Sequence, residues 1–300
     1  MKSFILSSLA IASIVVGSHR PIERLPNRSP LQQRREPLRF EPVHLPPQGA
    51  ALTRVGAWEL HATDRRLDGL SALAIEGSSF VAISDSGVVV RFPKPGSPNP
   101  TIKFRDLPSG PGRSDRKAGN DSEAIARDPQ DRGWWVAFES IHQLRLYDRD
   151  FRRTLAVRPL DGRRWHENGG VEGLVGLTDS LLLVAEDGDT IERFDGSTIS
   201  PLDTGPSAGR LSDATVLPDG RILLLTRSLT PLGFRNGLAL YDSTRGATKP
   251  LARLALGHLD NAEGIAAETM PGGAIRLWVA TDRDSRARGR TLLAAFDWKP

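Results

Sequence analysis

Five oxygen-bearing side chains recur along the sequence at intervals of about 50 residues, each at the third position of a short repeated line. They are Ser71, Glu123, Glu172, Asp213 and Glu263. Oxygen ligands of this kind suit a hard cation, and Ca²⁺ tolerates irregular coordination better than Mg²⁺ does. If the fold brings the four carboxylates together, they must take up protons or bind a cation. The set therefore predicts a Ca²⁺ site, and the alternative is that its members bind channel waters or cap backbone amides.

Each of these lines opens a group of short strands. An apolar second strand follows after a turn, then a third strand with an aromatic tip, and the first four groups end with a more polar fourth strand. Repeats of about 40 to 50 residues with four strands each are typical of propeller blades. The sequence thus predicts an all-β fold, a five-bladed β-propeller of four-stranded antiparallel blades.

The two ends of the repeated region complement each other. The fifth group stops at Pro300 after three strands, and a strand from Thr53 to Leu60 precedes the first group. We expect this N-terminal strand to complete the last blade, which would close the ring and remove an exposed sheet edge.

A second set of polar side chains follows the second strand of each group. In a propeller the innermost strands line a central channel, and each second strand returns to the face where the first began. The residues expected on this rim are Asp85, Glu139, Glu186, Arg227 and Asp282. Among these catalytic candidates, Glu139 or Glu186 could act as a base, and Arg227 could bind an anionic group. His166, in the loop before the third inner strand, is a further candidate acid or base.

The first 18 residues have the layout of a secretory signal peptide: Lys2, an apolar run from Phe4 to Val16, and then small residues. An uncleaved anchor is the alternative, although the run is shorter than the about 20 residues that span a bilayer. Residues 19–51 are rich in proline and arginine and are expected to form a flexible linker. The propeller then occupies residues 52–300 of a periplasmic or secreted protein, with no stable membrane insertion after cleavage.

Composition excludes several classes of site and partner. The chain has no cysteine, which excludes disulfides, thiol nucleophiles and cysteine-based metal sites. Its 40 lysines and arginines only slightly exceed its 36 aspartates and glutamates, so no nucleic-acid partner is expected. The sequence has neither a nucleophile elbow nor a phosphate-binding glycine loop. We expect a monomer that binds a small anionic substrate.

The inner lines also carry a family resemblance. In order they are Gly69-Leu-Ser-Ala-Leu73, Ser122-Glu-Ala-Ile125, Val171-Glu-Gly-Leu174, Ser212-Asp-Ala-Thr-Val216 and Ala262-Glu-Gly-Ile265. This ordered set resembles the phytase-like propellers, the family called esterase-like activity of phytase. The resemblance extends from about Leu67 to the C-terminus and implies hydrolysis of a phosphorylated substrate.

The same inner series is similar to that of calcium-activated nucleotidases (apyrases), which are five-bladed propellers with Ca²⁺ in the central channel. That resemblance implies metal ligands at Ser71, Glu123, Glu172, Asp213 (or Ser212) and Glu263. The outer loops of the nucleotidases have no counterpart here, so nucleotide specificity is not implied.

Three functions follow from these observations. The first is an exported Ca²⁺-dependent hydrolase of phosphoesters or related esters at the channel mouth. The second is a non-catalytic exported propeller that binds a ligand and contains a structural Ca²⁺. The third is a Ca²⁺-dependent lactonase-like hydrolase, which ranks last because such sites use asparagines that the aligned positions lack.

Overall fold

The computed structural model describes residues 33–108, 110–111, 119–161, 165, 169–186, 189–205, 209–283 and 289–300. Within these ranges the fold is all-β, and a short 3-10 turn at Arg65–Leu67 precedes the first inner strand. No helix in the same ranges is long and apolar enough to cross a membrane. The predicted signal peptide lies outside the described residues.

The strands are numbered in chain order. They are β1 (Gln33–Pro37), β2 (Arg39–Pro42), β3 (Thr53–His61), β4 (Leu70–Glu76), β5 (Ser79–Ser84), β6 (Val88–Pro93), β7 (Thr101–Asp106), β8 (Ser122–Arg127), β9 (Gly133–Phe138), β10 (Gln143–Asp148), β11 (Thr154–Pro159), β12 (Val171–Gly176), β13 (Leu181–Ala185), β14 (Thr190–Phe194), β15 (Ile199–Pro201), β16 (Arg210–Val216), β17 (Ile222–Thr230), β18 (Gly233–Asp242), β19 (Ala247–Leu254), β20 (Asn261–Thr269), β21 (Ile275–Asp282) and β22 (Leu292–Trp298).

These strands form five antiparallel sheets, the blades of a propeller, which confirms the predicted fold class. The strand orders are β1-β7-β6-β5-β4 in blade 1, β11-β10-β9-β8 in blade 2, β12-β13-β14-β15 in blade 3, β16-β17-β18-β19 in blade 4 and β2-β3-β22-β21-β20 in blade 5. The innermost strands β4, β8, β12, β16 and β20 contact one another in succession, and β20 returns to β4. Strand β3 pairs antiparallel with β22, beside the three strands that the sequence assigns to the last blade.

Apolar side chains fill the spaces between neighbouring blades. Every residue of β9 and β13 is buried, because both faces of each sheet pack against a neighbour. Between blades 1 and 2, one cluster joins Val81 and Ile83 of β5 to Trp134 and Val136 of β9. Second strands are therefore continuous apolar runs rather than alternating ones, as expected for strands covered on both sides.

Part of the segment predicted to be a flexible linker is structured. Strand β1 pairs with β7 at the outer edge of blade 1, and β2 pairs with β3 at the outer edge of blade 5. Leu38 and Leu45 are buried. Two short strands, β1 and β2, therefore lie within the region 19–51 for which the sequence predicts a flexible linker. Edge pairing uses backbone N–H and C=O groups, so it does not require the apolar periodicity whose absence suggested a linker.

Candidate functional site

Every inner strand contains a β-bulge near its start, at the same place in each blade. The strand register passes over one residue between Leu70 and Ala72 of β4, and the other four inner strands repeat this irregularity. The residues passed over are Ser71, Glu123, Glu172, Ser212 and Glu263. A bulge leaves its extra residue unpaired and re-aims the side chain, which is common next to functional sites.

The two predicted sets of side chains meet in one pocket of about 250 Å³. Its lining residues are Gly69, Leu70, Ser71, Asp85, Glu123, Glu139, Glu172, Glu186, Arg227, Glu263 and Asp282. Seven of these side chains are carboxylic acids and one is an arginine. The inner strands and the ends of the second strands therefore share one rim, as their pairing in the five sheets requires.

Gly69 shows how closely the chain approaches this pocket. Its φ is +81°, and a Cβ added there would lie 2.6 Å from the Asp85 Oδ1 atom. Glycine is thus required both by the backbone conformation and by the space that the carboxylate needs.

One half of the pocket is organised by Arg227, which bridges three blades. Its guanidinium forms an ion pair with Glu263 of blade 5, lies 3.3 Å from Glu186 Oε1 and lies 3.6 Å from Glu172 Oε2. It also donates to Asn261 Oδ1 over 3.3 Å. Arg210 Nη2 reaches Glu186 Oε1 at 3.0 Å from the rim. The acidic groups of this half are therefore largely compensated by arginine.

Blade 2 contributes two acidic side chains to the pocket, Glu123 and Glu139. Carboxylate oxygens of Asp121, Glu123 and Glu139 can all lie within 4.8 Å of one another, an arrangement that could hold a metal ion. Asp121 was not among the predicted ligands. It opens the second inner line two positions before Glu123, where the first and third lines have glycine. A carboxylate at a position that is otherwise glycine is the sequence feature that could have identified it.

The electrostatic cost of this arrangement appears in two pKa values. Burial raises the pKa of Glu123 well above its usual range, and the surrounding carboxylates raise it further. Burial also raises the pKa of Glu172 to about 8, although Arg227 acts in the opposite direction. Buried like charges at this distance bind protons or a cation.

Asp213, predicted as a metal ligand, does not line the pocket. Its Oδ1 atom accepts from the backbone N–H of Ala214 and its Oδ2 atom from that of Ile265 in blade 5, both at 2.7 Å. The bulge places Ser212, not Asp213, in register with the other ring residues, and the Ser212 hydroxyl donates to Ala262 O over 3.1 Å. In the fourth blade, Asp213 therefore caps backbone amides, one of them in the neighbouring blade, which is the alternative to metal binding that the sequence left open.

All but one of the remaining predicted site residues line the pocket. Ser71, Asp85, Glu139, Glu186 and Asp282 all line the pocket, and their chemical roles stay predictions. His166 lies outside the described residues.

Comparison with known proteins gives one family and several related folds. A sequence profile described as "Phytase-like: Esterase-like activity of phytase" matches residues 65–285. A search of curated protein sequences gives no match.

Among solved structures, the Myxococcus xanthus glutaminyl cyclase is similar at 11% identity and a TM-score of 0.51, over 91% of this chain and 100% of that one. The Kuenenia stuttgartiensis hydrazine synthase is similar at 12% identity and a TM-score of 0.41, over 75% of this chain and 59% of that one. The Neurospora crassa Pan2 WD40 domain is similar at 10% identity and a TM-score of 0.43, over 80% and 92% respectively. At this identity the glutaminyl cyclase likeness concerns the fold alone, and the other two scores are lower still.

Proposed function

Since the chain belongs to the phytase-like family, which suggests hydrolase-type activity, we propose that it is a Ca²⁺-dependent hydrolase of phosphoesters or related esters. The observation that carries this proposal is that Glu123 and Glu139, two members of the carboxylate trio, line the same pocket as Arg227. A metal site beside an anion-binding group is the arrangement that phosphoryl chemistry uses.

The proposed metal ligands are Asp121, Glu123 and Glu139, supported by the chemistry of the donor set. All three offer hard carboxylate oxygens, and these oxygens lie within 4.8 Å of one another. Ca²⁺ is the proposed ion, because it accepts carboxylates in irregular geometry. When bound, it would polarise the scissile group and lower the pKa of a coordinated water. This proposal moves the metal from the channel axis, where the sequence predicted it, to blade 2.

Arg227 is the proposed anion-binding group. It lines the pocket, its side chain is 18% exposed, and three carboxylates around it fix its position. A planar guanidinium can donate two parallel hydrogen bonds to a phosphate or carboxylate. We propose that it binds the oxygens of the ester and stabilises the negative charge that develops on them.

Glu186 is the proposed proton acceptor. Its Oε1 atom lies 3.3 Å from Arg227 Nη2, so the base would stand beside the bound anion. In the proposed reaction a water oxygen attacks the phosphorus, its proton passes to a Glu186 carboxylate oxygen, and the phosphorus–alkoxy bond breaks. The alcohol then leaves with a proton from solvent, and Glu186 returns the proton that it accepted to solvent. Asp85 and Asp282 line the same pocket and are further candidates.

Export remains part of the proposal and rests on the sequence of the first 18 residues. Outside the cytoplasm a Ca²⁺ site of modest affinity is filled, since extracellular modules bind Ca²⁺ with dissociation constants of about 10⁻⁴ to 10⁻³ M.

The test combines calcium calorimetry on metal-stripped protein with hydrolysis of generic phosphate and carboxylate esters. The wild type should bind Ca²⁺ and gain activity in parallel, and Glu123→Gln with Glu139→Gln should abolish both. Glu41→Gln, on the exposed outer strand β2, is the matched control and should change neither. Calcium binding that raises the melting temperature without turnover would overturn the hydrolase and favour a binding propeller with a structural ion. No binding at all would remove the metal site.

A further inference from the structure

The hairpin of β17 and β18 rises above the pocket farther than its counterparts in blades 1 to 3. In those blades the second strand ends at Ser84, Phe138 or Ala185, directly before the pocket residue. Strand β17 instead continues past Arg227 to Thr230, and the pairing with β18 is unbroken to its end. Three further residues extend the ribbon by about 10 Å beyond the pocket.

One face of this ribbon changes from charged to apolar as it leaves the pocket. Side chains alternate along a strand, so Leu229 lies on the same face as Arg227, about 7 Å farther out. Their cross-strand partners are Phe234 and Asn236 respectively. Leu229 is 74% exposed, although leucine gains free energy when it is removed from water.

The ribbon is held firmly at its base. Asn236 donates from Nδ2 to Asp260 O at 2.8 Å and accepts from the Ala262 N–H at 3.2 Å. The backbone N–H of Phe234 donates to His258 O at 2.8 Å. The Leu229–Phe234 pair therefore has a fixed position relative to Arg227, as a specificity-determining surface requires.

The apolar face leads to a second cavity of about 490 Å³, which Phe234 also lines. The rest of its wall comes from Arg235 and from residues 46–51 and 252–256, most of which are proline, alanine or leucine. A ligand that begins at Arg227 can therefore continue along Leu229 and Phe234 toward an apolar cleft.

The charge of the pocket points to the same class of ligand. Its described lining has seven carboxylic acids and a single arginine. Each phosphate group brings about 1.5 to 2 negative charges at neutral pH. A metal and Arg227 can compensate one such group, whereas every additional phosphate would add negative charge to a pocket whose lining is mainly acidic.

We propose that the substrates of this site carry one anionic ester group attached to an apolar organic group, and that Leu229 and Phe234 bind the apolar part. The acidic lining of the pocket excludes compounds that carry several phosphate groups. This inference rests on the proposed function, since it places the anionic group at Arg227 beside the metal.

The test is calorimetric binding of two non-hydrolysable phosphonates to the full chain with Ca²⁺ present. Methylphosphonate and hexylphosphonate carry the same anionic group and differ only in the apolar part. The wild type should bind hexylphosphonate about 10-fold or more tightly than methylphosphonate, as expected from about 25 cal/mol for each Å² of apolar surface removed from water. Leu229→Ser should reduce this ratio about 5-fold and leave methylphosphonate binding unchanged.

Val216→Ser is the matched control, because Val216 is an exposed apolar residue at the far end of β16 in the same blade. It should leave both affinities unchanged. Equal affinities for the two phosphonates, or no effect of Leu229→Ser, would overturn the inference while the proposed function stands. Tighter binding of inositol hexakisphosphate than of hexylphosphonate would also overturn it. If neither phosphonate binds, both the inference and the anion-binding role of Arg227 are wrong.

Discussion

Arg227 is predicted to be the group that allows one buried and two partly buried carboxylates to share one side of the channel, and its removal should destabilise the fold. The perturbation is Arg227→Gln, which keeps a polar side chain of similar reach but removes the positive charge. Glu172 and Glu263 would then lose the guanidinium that pairs with them, and Glu186 would keep only Arg210 as a cationic partner among the described residues. Removing one partner of a buried ion pair typically costs about 3 to 5 kcal/mol of folding free energy.

The loss should depend on pH with a definite sign. Burial raises the pKa of Glu172 from 4.5 to about 8 even though Arg227 opposes the rise. A carboxyl whose pKa is raised on folding binds more protons in the folded state, so its contribution to stability is complete below pH 4.5 and is lost as the pH rises through about 8. Without Arg227, ionisation of Glu172 in the folded protein becomes still less favourable. The cost of the substitution should therefore be largest near pH 8 and smallest below pH 4.5.

The assay is urea unfolding of the metal-free protein in a chelator, followed by the fluorescence of its six tryptophans, at pH 5 and pH 8. Arg276→Gln is the matched control, since Arg276 is similarly exposed and its ion pair with Asp297 joins β21 and β22 within blade 5 rather than bridging blades. A partly exposed pair of this kind should contribute about 1 kcal/mol or less. If Arg227→Gln lowers the free energy of unfolding no more than the control does, or by the same amount at both pH values, then the contacts of Arg227 across three blades do not stabilise the fold.

The remaining predictions concern the acidic half, the fourth blade and the pocket backbone. Metal-free protein should lose stability as the pH rises from 4.5 toward 8, because Glu123 and Glu172 are protonated more readily when folded, and added Ca²⁺ should reverse the trend in urea unfolding. Asp213→Ala should lower the free energy of unfolding by about 1 to 3 kcal/mol, because two buried backbone amides lose their acceptor. Calcium affinity measured by calorimetry should stay unchanged. If the folded variant no longer binds Ca²⁺, Asp213 is a metal ligand after all. Gly69→Ala should destabilise the protein and displace the Asp85 carboxylate, since its φ is +81° and the new Cβ would lie 2.6 Å from an oxygen. A melting temperature equal to that of the wild type would contradict this last expectation.

Much of the fold could be predicted because the information is repeated and local. Each blade carries its own inner line, its apolar second strand and its turns, so five similar segments indicate five sheets without any knowledge of long-range contacts. The same repetition placed most of the pocket residues, since side chains at equivalent positions of a ring must face the same rim. The sequence does not reveal strands β1 and β2, because edge pairing through the backbone requires no pattern of side chains.

What the sequence alone determined is therefore the number of blades and the face on which the acidic residues meet. Tertiary structure alone decided how these acids divide. The bulge in β16 leaves Ser212 unpaired, so Ser212 rather than Asp213 is equivalent to the ring residues of the other blades. The sequence could not decide this, because Ser212 and Asp213 are adjacent and both carry side-chain oxygens. Arg227 reaches Glu172 and Glu263 from a third blade, across contacts that no local pattern specifies. Charge compensation depends on distances of a few ångströms between distant parts of the chain, and those distances exist only once the ring has formed.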